Sequence, residues 1–561
     1  MNAFIYVTPY FPIYFMFPLK SIYYSDIVII DSIIWINLLL LGGASHIKKE
    51  HRNKLIVLSS IIILVASATW FARILFDLRN TNPLTPQEVN PKHQSASIVI
   101  NSLNFTFPEG MDENNNPYLH YIEDKTNIDI RVKMPSVTTY EDSLKVELSN
   151  ATPPDMLTTY EPKTFYDLVE RGELAPLDEL IASYGADLQK YIPEEAWDTV
   201  RVNGHIYAIP TSNEASGEEV IYVRKDWLDN LNLDIPTTID EIEHVIRAFT
   251  KEDPDRNGYA DTYGVTWMQH LNQTSPLLGA FGVQFDHWVK IDGQLAYANI
   301  LPGMKEAVSF LAALNKEKLV KPFLSFSSTK KDWLHHTIVD NNVGMFSGSY
   351  YHQTLIHDLQ RENGVEAEWI AIDAPIGKNG ERSTKALPLV KGYHFVPKNS
   401  TNKAEVIKLL NFIVEEGRET LDMGFEHQVW HRQGEKIVYD SNEDKKAEYR
   451  GIYSILANVQ NRELYEARIK HKKAVVENLH KAERFAVESE FKLYQTPTMH
   501  PQHKQLEQQL KDLLDLFDEM INGQSSMDEF DRYVNEWKAL GGDQITKEVN
   551  EWYASNRANK K

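Results

Sequence analysis

The segment from Asp253 to Asp261, which reads DPDRNGYAD, carries side chains that could hold a hard divalent cation. Oxygen-bearing side chains stand at its positions 1, 3, 5 and 9, namely Asp253, Asp255, Asn257 and Asp261, and the carbonyl of Tyr259 falls at position 7. Calcium takes about six to eight oxygen ligands, and alternate residues of a tight loop turned by a glycine supply them in this order. The spacing therefore predicts a calcium site.

The match to a complete helix-loop-helix calcium site is partial. Position 12 is Gly264, where a bidentate Glu usually stands, so water or residues from elsewhere would have to complete the coordination. Turns rich in Asp, Asn and Gly also form without an ion, when their side chains bond to their own backbone. Both interpretations stay open from the sequence.

The chain carries no recognised catalytic pattern. It has no phosphate loop, dinucleotide fingerprint, nucleophile elbow or His-Glu-x-x-His motif. His335 and His336 with Asp340, and His427 with His431, could in principle bind a metal, although scattered surface histidines are the commoner explanation. Carboxylates are numerous enough for a glycosidase pair. A catalytic site would have to be invisible in the sequence, so we expect a protein that is not an enzyme.

The composition excludes several classes of function. The 561-residue chain has 58 Lys and Arg against 79 Asp and Glu, a formal net charge of -21. Nucleic-acid binding depends on clustered Lys and Arg, so we expect no nucleic-acid partner. The chain has no cysteine, which excludes disulfides, thiolate catalysis, Cys-ligated zinc and attachment through a lipidated cysteine.

Residues 1–79 differ from the rest and predict a membrane region. Residues 55–72 form an uncharged, mostly apolar run of about the minimum length for a membrane span, directly after a basic cluster at 48–54. The positive-inside rule then places the chain after this run outside the cytoplasm. A cleavable signal peptide with an Ala-Ser-Ala processing site would have the same pattern, so anchor and signal stay open.

Two further features belong to this N-terminal part. Residues 27–43 are mostly apolar and could form an earlier span, unless residues 1–50 come from an over-extended start site. Residues 80–95 are rich in Pro, Asn, Thr and Gln and lack periodicity, which predicts a flexible linker between membrane and domain.

After the linker, predicted strands alternate with predicted helices. We predict strands at 97–101, 128–132, 155–157, 220–223, 343–346 and 368–372, and helices at 118–125, 239–250 and 304–315. This alternation predicts α/β units in more than one lobe, with ligands near the carboxyl ends of strands. The last hundred residues are mostly helical in pattern and show no sustained heptad, so we expect a monomer.

Short motifs in a fixed order carry a family resemblance. They are PDM at 154–156, NGHIYAIP at 203–210, YVRKDWL at 222–228, IPTTIDE at 235–241, the calcium loop, VGMFSGS at 343–349, GYHFV at 392–396, ING at 521–523 and ALGG at 539–542. On these segments the chain resembles the family 1 extracellular solute-binding proteins, the substrate-capture components of carbohydrate ABC importers, and most of all their large Gram-positive members. The resemblance covers nearly the whole chain after residue 95.

The resemblance implies a two-lobed, periplasmic-binding-protein-like α/β fold with a hinge, preceded here by one or more N-terminal transmembrane segments. One lobe would hold residues 96–217 and 388–440, and the other residues 218–387 and 441–561. The function implied is oligosaccharide binding on the extracellular face of the cell membrane and delivery to the permease subunits of an ABC transporter, with calcium as a structural ion.

Two departures from the family stand out. Relatives usually attach to the membrane by a lipidated cysteine, which this chain lacks, so its retention would depend on the apolar run at 55–72. Relatives often carry Asp-Glu at the end of the calcium loop, whereas here Asp261 is followed by Thr262. The second departure removes an expected metal ligand.

A sugar site needs flat aromatic platforms and planar hydrogen-bonding side chains, since sugars present apolar faces ringed by hydroxyl groups. Candidates lie where predicted strands end. They are Trp267 after the calcium loop, Tyr350 and Tyr351 after a Gly-rich turn, Asp155 and Tyr160 in the first lobe, and Asn213 and Glu214 at a predicted lobe crossing. We expect Trp227 in the core, and Arg224 either at an acidic sugar or paired with a nearby carboxylate.

Two other functions stay open. A ligand sensor for a membrane kinase would bind its solute without supporting transport. A cell-surface polysaccharide-degrading enzyme would release products from the bound sugar.

Overall fold

The computed structural model describes residues 94–559, apart from positions 104, 214, 323–329, 435, 458–468, 470–471 and 488–514. The chain divides into two units, Met1–Pro91 and Lys92–Lys561, and the described residues all belong to the second. The predicted spans at 27–43 and 55–72, and the candidate Glu214, lie outside the described residues. None of the described helices is long and apolar enough to cross a membrane.

The strands are numbered in chain order. They are β1 (Gln94–Val99), β2 (Ile128–Lys133), β3 (Met156–Thr159), β4 (Arg201–Val202), β5 (His205–Ile206), β6 (Ala208–Ser212), β7 (Glu219–Arg224), β8 (Trp288–Ile291), β9 (Gln294–Tyr297), β10 (Met345–Ser349), β11 (Trp369–Ile372), β12 (Thr384–Lys385), β13 (Val390–Phe395), β14 (Trp430–Gln433), β15 (Lys436–Tyr439) and β16 (Ala486–Val487).

The α-helices lie between and after these strands. Their bounds are Pro117–Thr126, Tyr140–Leu148, Pro162–Glu170, Asp178–Tyr184, Ala186–Tyr191, Glu194–Val200, Lys225–Leu231, Ile239–Lys251, Ser275–Gly279, Pro302–Lys316, Lys330–Val339, His352–Asn363, Lys403–Val414, Arg418–Met423, Ser441–Lys446, Gly451–Ser454, Lys473–Arg484, Glu529–Trp537 and Asp543–Asn559.

A five-stranded mixed sheet organises the first lobe, in the order β2-β1-β3-β13-β6. Strands β1, β2 and β3 run parallel, while β13 is antiparallel to both β3 and β6. The edge strand β2 alternates between buried and exposed residues, since its sequence IDIRVK places an apolar side chain on every second position. The parallel part confirms the strand-helix-strand pattern predicted from the sequence.

A three-stranded sheet in the order β10-β7-β11 organises the second lobe. Both outer strands are antiparallel to the fully buried β7. The helix Ile239–Lys251 packs beside it and begins with a capping box, in which Thr238 and Glu241 each bond to the other's backbone. The IPTTIDE motif is therefore a helix start signal.

The apolar side chains form separate clusters for the two sheets. The first cluster draws on residues 96–209 and 390–457, and the second on residues 221–372 and 516–533. We predicted that residues 441–561 belong with the second lobe, but the side chains from Ala447 to Ala457 pack in the first cluster. The remaining predicted lobe boundaries stay predictions.

Two chain segments cross between the sheets and pair with each other. Residues 213 and 215–218 lie between β6 and β7, and residues 386–389 lead into β13. Gly217 bridges to Ala386, and the Leu387 N–H donates to the Ser216 carbonyl at 2.9 Å. A Cβ on Gly217 would lie 2.3 Å from the carbonyl oxygen of Ala482, so only glycine lets this crossing segment contact the helix Lys473–Arg484. We call these two paired segments the crossing strands.

Two side chains fulfil their predicted structural roles. Trp227 is fully buried in the second core. The Arg224 guanidinium donates to both carboxylate oxygens of Asp226, at 2.6 and 2.8 Å, and lies over the Trp227 ring. Of the two alternatives for Arg224, the carboxylate pair is the one realised.

The buried His394 predicts that stability falls with acidity. Burial lowers the pKa of His394, whose Nδ1 bonds to the Thr158 hydroxyl, to about 4 from the ordinary 6.5. Between pH 6.5 and about pH 4, the unfolded chain therefore binds a proton at His394 that the folded chain does not bind. The stabilisation is complete above pH 6.5 and should decline by about 2 kcal/mol on going to pH 5.

Urea unfolding of the wild type and of His394→Gln at pH 7 and pH 5 measures this effect. The difference in unfolding free energy between the two pH values should be smaller in the variant by about 2 kcal/mol. Equal pH dependence in both proteins would contradict the assignment, whatever the variant's absolute stability.

Candidate functional site

The crossing strands determine which end of the first sheet can face the second lobe. β6 ends at Ser212, where one crossing strand begins, and β13 starts at Val390, where the other ends. Because Tyr393 of β13 pairs with Thr159, the carboxyl end of β3 lies at this same end of the sheet. Tyr160, which follows β3, is therefore placed next to the crossing strands.

The second sheet presents its own candidates at the corresponding end. β7 begins at Glu219 directly after a crossing strand, and Ser349 lies opposite Glu219 in the β10–β7 register. The Tyr350 N–H donates to the Glu218 carbonyl at 2.8 Å. Tyr350 and Tyr351 thus also lie next to the crossing strands. We call the region formed by Tyr160, Tyr350, Tyr351 and the crossing strands the hinge-side region.

Tyr160 is half-buried and lies on the backbone of β13. A Cβ on Gly392 would be 3.1 Å from the Tyr160 ring, so the glycine leaves room for the ring beside the strand. Burial raises the pKa of the Tyr160 phenol, and the nearby Glu141 carboxylate adds to this. The ring is therefore held in place while it remains neutral at physiological pH.

Tyr351 is the most exposed of the predicted aromatic residues, with 40% of its surface accessible. Its hydroxyl accepts a hydrogen bond from the Lys472 ammonium at 2.9 Å. Its ring meets Tyr350 edge to face, with centroids 6.3 Å apart, and Tyr350 packs partly against the apolar residues around the crossing strands. Such a ring offers a partly exposed face on a fixed support.

Trp267 packs mainly in the second core. Only 9% of its surface is exposed, and the preceding Thr266 pairs with Phe346 of β10. This burial favours a structural role for the indole, and its predicted contact with a solute stays a prediction. The loop that follows has His270, Leu271 and Gln273 in the left-handed region, at φ of 56°, 54° and 62°.

Asn213 joins the two crossing strands. Its N–H donates to the Leu389 carbonyl at 3.1 Å, and its side-chain amide donates to the Pro388 carbonyl at 2.6 Å. Its place at a lobe crossing agrees with the sequence analysis, and a solute contact by the same side chain stays untested.

Asp155 lies at the amino end of β3, away from the crossing strands. Its carboxylate accepts hydrogen bonds from the Ser97 N–H and hydroxyl, the Ser400 hydroxyl and the Asn402 amide. Burial alone would raise its pKa, but these donors hold the pKa below the ordinary value. The geometry argues against the predicted solute contact. It indicates that Asp155 connects β1, β3 and the turn at Ser400 through these hydrogen bonds.

The predicted calcium loop gathers its carboxylates around Asn257. The Asn257 N–H donates to Asp253 at 3.1 Å, and its side-chain amide donates to Asp255 at 2.9 Å and to Asp261 at 3.2 Å. Burial, together with Asp253 and Asp261, raises the pKa of Asp255. Crowded carboxylates of this kind are stabilised by a cation. Tyr259, whose carbonyl was the remaining predicted ligand, has an exposed side chain.

The end of the loop explains the missing ligand at position 12. The Thr262 hydroxyl is buried and donates to the Phe249 carbonyl at 2.7 Å, so it faces the helix Ile239–Lys251. A Cβ on Gly264 would lie 2.2 Å from the Ile246 carbonyl oxygen, which leaves no room for a Glu side chain. Within the described part of the chain, no three His, Cys, Asp or Glu side chains form a ready-made metal site.

Asp340, considered as a metal ligand together with His335 and His336, is paired with a lysine. Asp340 accepts from the Lys321 ammonium at 2.7 Å and lies 3.5 Å from His336. The lysine supplies the positive charge there, and it holds the Asp340 pKa below the ordinary value, against the effect of burial. This is an ion-pair cluster.

Glu219 is a buried carboxylate that the sequence analysis did not single out as a site residue. It accepts from the Ser347 hydroxyl at 2.8 Å and from the Ser275 N–H at 3.2 Å, and burial raises its pKa. The Ser275 hydroxyl in turn accepts from the Lys385 N–H at 2.5 Å. These bonds connect β10, the strand before Tyr350, to both chain segments near the crossing. Nothing in the local sequence distinguishes Glu219 from neighbouring Glu218.

Comparison with known proteins agrees with this geometry. Residues 120–418, more than half of the chain, match the model of a family described as bacterial extracellular solute-binding protein. The polygalacturonan/rhamnogalacturonan-binding protein YtcQ of Bacillus subtilis is 24% identical over 449 residues, which cover 77% of this chain and 86% of YtcQ.

Solved structures share the fold. A Streptococcus pneumoniae FusA EF-hand mutant in complex with fructo-nystose superposes with a TM-score of 0.65 at 17% identity, over 83% of this chain and 100% of FusA. The alginate-binding protein AlgQ2, solved without calcium ion, gives a TM-score of 0.66 at 16% identity, over 82% of this chain and 98% of AlgQ2. These likenesses establish a two-lobed α/β solute-binding fold.

Removal of the Asp155 carboxylate should reduce stability without changing solute binding. Asp155→Ala leaves the Ser97, Ser400 and Asn402 donors without their acceptor, which should cost about 2 to 3 kcal/mol in urea unfolding. Asp124→Ala, which removes an exposed carboxylate from a nearby helix, is the control and should change little. Loss of solute affinity in a folded Asp155→Ala protein would indicate that Asp155 contacts the solute.

Proposed function

This chain belongs to the bacterial extracellular solute-binding proteins, and on that basis we propose that its solute is an oligosaccharide, which it hands to the permease of an ABC importer. The observation that supports this most directly is the position of Tyr160, Tyr350 and Tyr351. Tyrosine side chains from both lobes lie next to the crossing strands, where a solute held between the lobes would contact both. Partly exposed rings suit the apolar faces of sugars.

The relatives support an oligosaccharide as the solute. YtcQ is named for binding polygalacturonan and rhamnogalacturonan, and the FusA structure contains fructo-nystose. Their ligands include acidic and neutral sugars, so they do not determine the charge of the sugar bound here. Hinge closure around the solute would bring the two sets of aromatic residues onto the same ligand.

We place a structural calcium ion in the loop Asp253–Asp261. The donor set fits a hard cation, because Asp253 accepts from the Asn257 backbone N–H while Asp255 and Asp261 accept from the Asn257 side-chain amide. Rotating the Asn257 amide by half a turn would present its oxygen, in place of its nitrogen, to the carboxylates. The existence of an EF-hand in FusA is consistent with this assignment. The ion would fix the loop that precedes Trp267.

The sequence supports a tethered protein whose binding lobes lie outside the cell. In this proposal the run at 55–72 is either the anchor or a signal, and the folded part acts as a monomer. A sensor subunit and a polysaccharide-degrading enzyme remain the alternatives. A transport defect on deletion distinguishes an importer component from a sensor, and product analysis of bound sugar distinguishes a binding protein from an enzyme.

The solute class can be tested by titration of neutral and acidic oligosaccharides with calcium present, together with Tyr351→Ala. Loss of the ring should weaken binding about fivefold or more, since a stacked aromatic contributes about 1 kcal/mol. Tyr184→Ala is a matched control, because Tyr184 is 43% exposed on a first-lobe helix. Equal affinity in the wild type and Tyr351→Ala would remove Tyr351 from the site, and cleaved products would indicate an enzyme.

Calcium binding can be tested by melting the protein in EDTA and in excess calcium. Calcium at about a hundred times its dissociation constant should stabilise the wild type by about 2.7 kcal/mol. The double variant Asp255→Ala/Asp261→Ala should lose this difference, whereas Asp234→Asn, which changes an exposed loop carboxylate nearby, should keep it. A wild-type melting temperature that is the same in both buffers would refute the metal site.

A further inference from the structure

Glu141 lies at the same end of the first sheet as Tyr160. It is the second residue of the helix Tyr140–Leu148, which follows β2, and β2 runs parallel to β1 and β3. The Tyr140 hydroxyl donates to the Thr158 carbonyl at 2.8 Å and so fixes the start of the helix on β3. The Glu141 side chain is therefore carried by an element anchored beside the hinge-side region.

The carboxylate of Glu141 is held by hydroxyl groups on both sides of Tyr160 in the sequence. The Thr159 hydroxyl lies 3.0 Å from each carboxylate oxygen, and the Thr164 hydroxyl lies 3.3 Å from one of them. These contacts fix the plane of the carboxylate next to the Tyr160 ring. The Tyr160 N–H also donates to this carboxylate. An ionised carboxylate offers about four acceptor positions, so one remains for a further donor.

No cation forms an ion pair with this carboxylate within the described part of the chain. Lys145, one helical turn further on, donates to Asp142 at 2.8 Å instead. Burial raises the pKa of Glu141, and the Glu161 carboxylate adds to the shift, although the threonine hydroxyls oppose it. Glu141 is half-buried beside the like-charged Glu161 and has no ion-pair partner among the residues that the structure describes. Such a group reduces the stability of the fold, so packing alone does not account for it.

We propose that Glu141 is a solute-binding residue whose carboxylate accepts a hydrogen bond from a hydroxyl group of a sugar ring lying on Tyr160. This inference rests on the proposed function, because it specifies how one sugar unit is held. The ring face would lie on the tyrosine, and the hydroxyl edge would face the carboxylate. This combination of a flat apolar surface and a planar acceptor matches the two kinds of surface that a sugar presents.

The test uses the full-length protein. Calorimetric titration with the oligosaccharide that the wild type binds most tightly measures the affinity, and thermal melting without sugar measures the stability. Glu141→Gln retains the shape but removes the charge, and should weaken binding at least about tenfold while the melting temperature without sugar stays the same or rises. Asp142→Asn is the matched control, since Asp142 is the next residue, is exposed and bonds only to Lys145 among the contacts described. It should bind within about twofold of the wild type.

The results separate this inference from the proposed function. A wild type that binds no oligosaccharide overturns both. A wild type that binds, together with a Glu141→Gln that binds equally well, overturns the inference alone. Weaker binding accompanied by a lower melting temperature without sugar also overturns it, because the role would then be structural. If Glu141→Gln does not fold, Glu141→Asp, which withdraws the carboxylate by one methylene, takes its place, and wild-type affinity there overturns the inference.

Discussion

Backbone pairing of the two crossing strands is the constraint on which the rest of this account depends. The Gly217–Ala386 bridge and the bonds of Asn213 to residues 388 and 389 hold the two segments side by side where they pass between the sheets. Because each segment enters or leaves a strand of known register, this pairing determines which strand ends lie together. It brings Tyr160 of one lobe and Tyr351 of the other to the same region, although the two apolar cores are separate.

A buried network of hydrogen bonds lies between the strand that precedes Tyr350 and the crossing strands. The Ser347 hydroxyl, in the strand β10 that precedes Tyr350, bonds to the buried Glu219 at the start of β7. Through Ser275 this network continues to the backbone of Lys385. This buried polar network ties β10, the strand before Tyr350, to the chain segments that cross between the lobes. The polar network thus complements the small apolar cluster around Ala215.

Much of the fold could be predicted from local sequence, and much of the site could not. The predicted helix at 239–250 and strand at 128–132 agree with the structure to within one residue at each end, because their periodicity and capping are local. The surroundings of Asp155 could not be predicted, because a carboxylate beside a strand looks the same in the sequence whether it faces a ligand or donors from three distant residues. Glu219 and Glu141 went unrecognised because their surroundings come from residues far away in the sequence, which no local pattern encodes.

The central claim is that one oligosaccharide is held between the lobes, next to the crossing strands. Small-angle X-ray scattering of the protein with calcium, with and without a saturating oligosaccharide, tests it most directly. The account predicts a smaller radius of gyration with the sugar bound, because the hinge closes around it. Scattering that is unchanged at a sugar concentration where calorimetry shows full occupancy would place the sugar elsewhere and contradict the account.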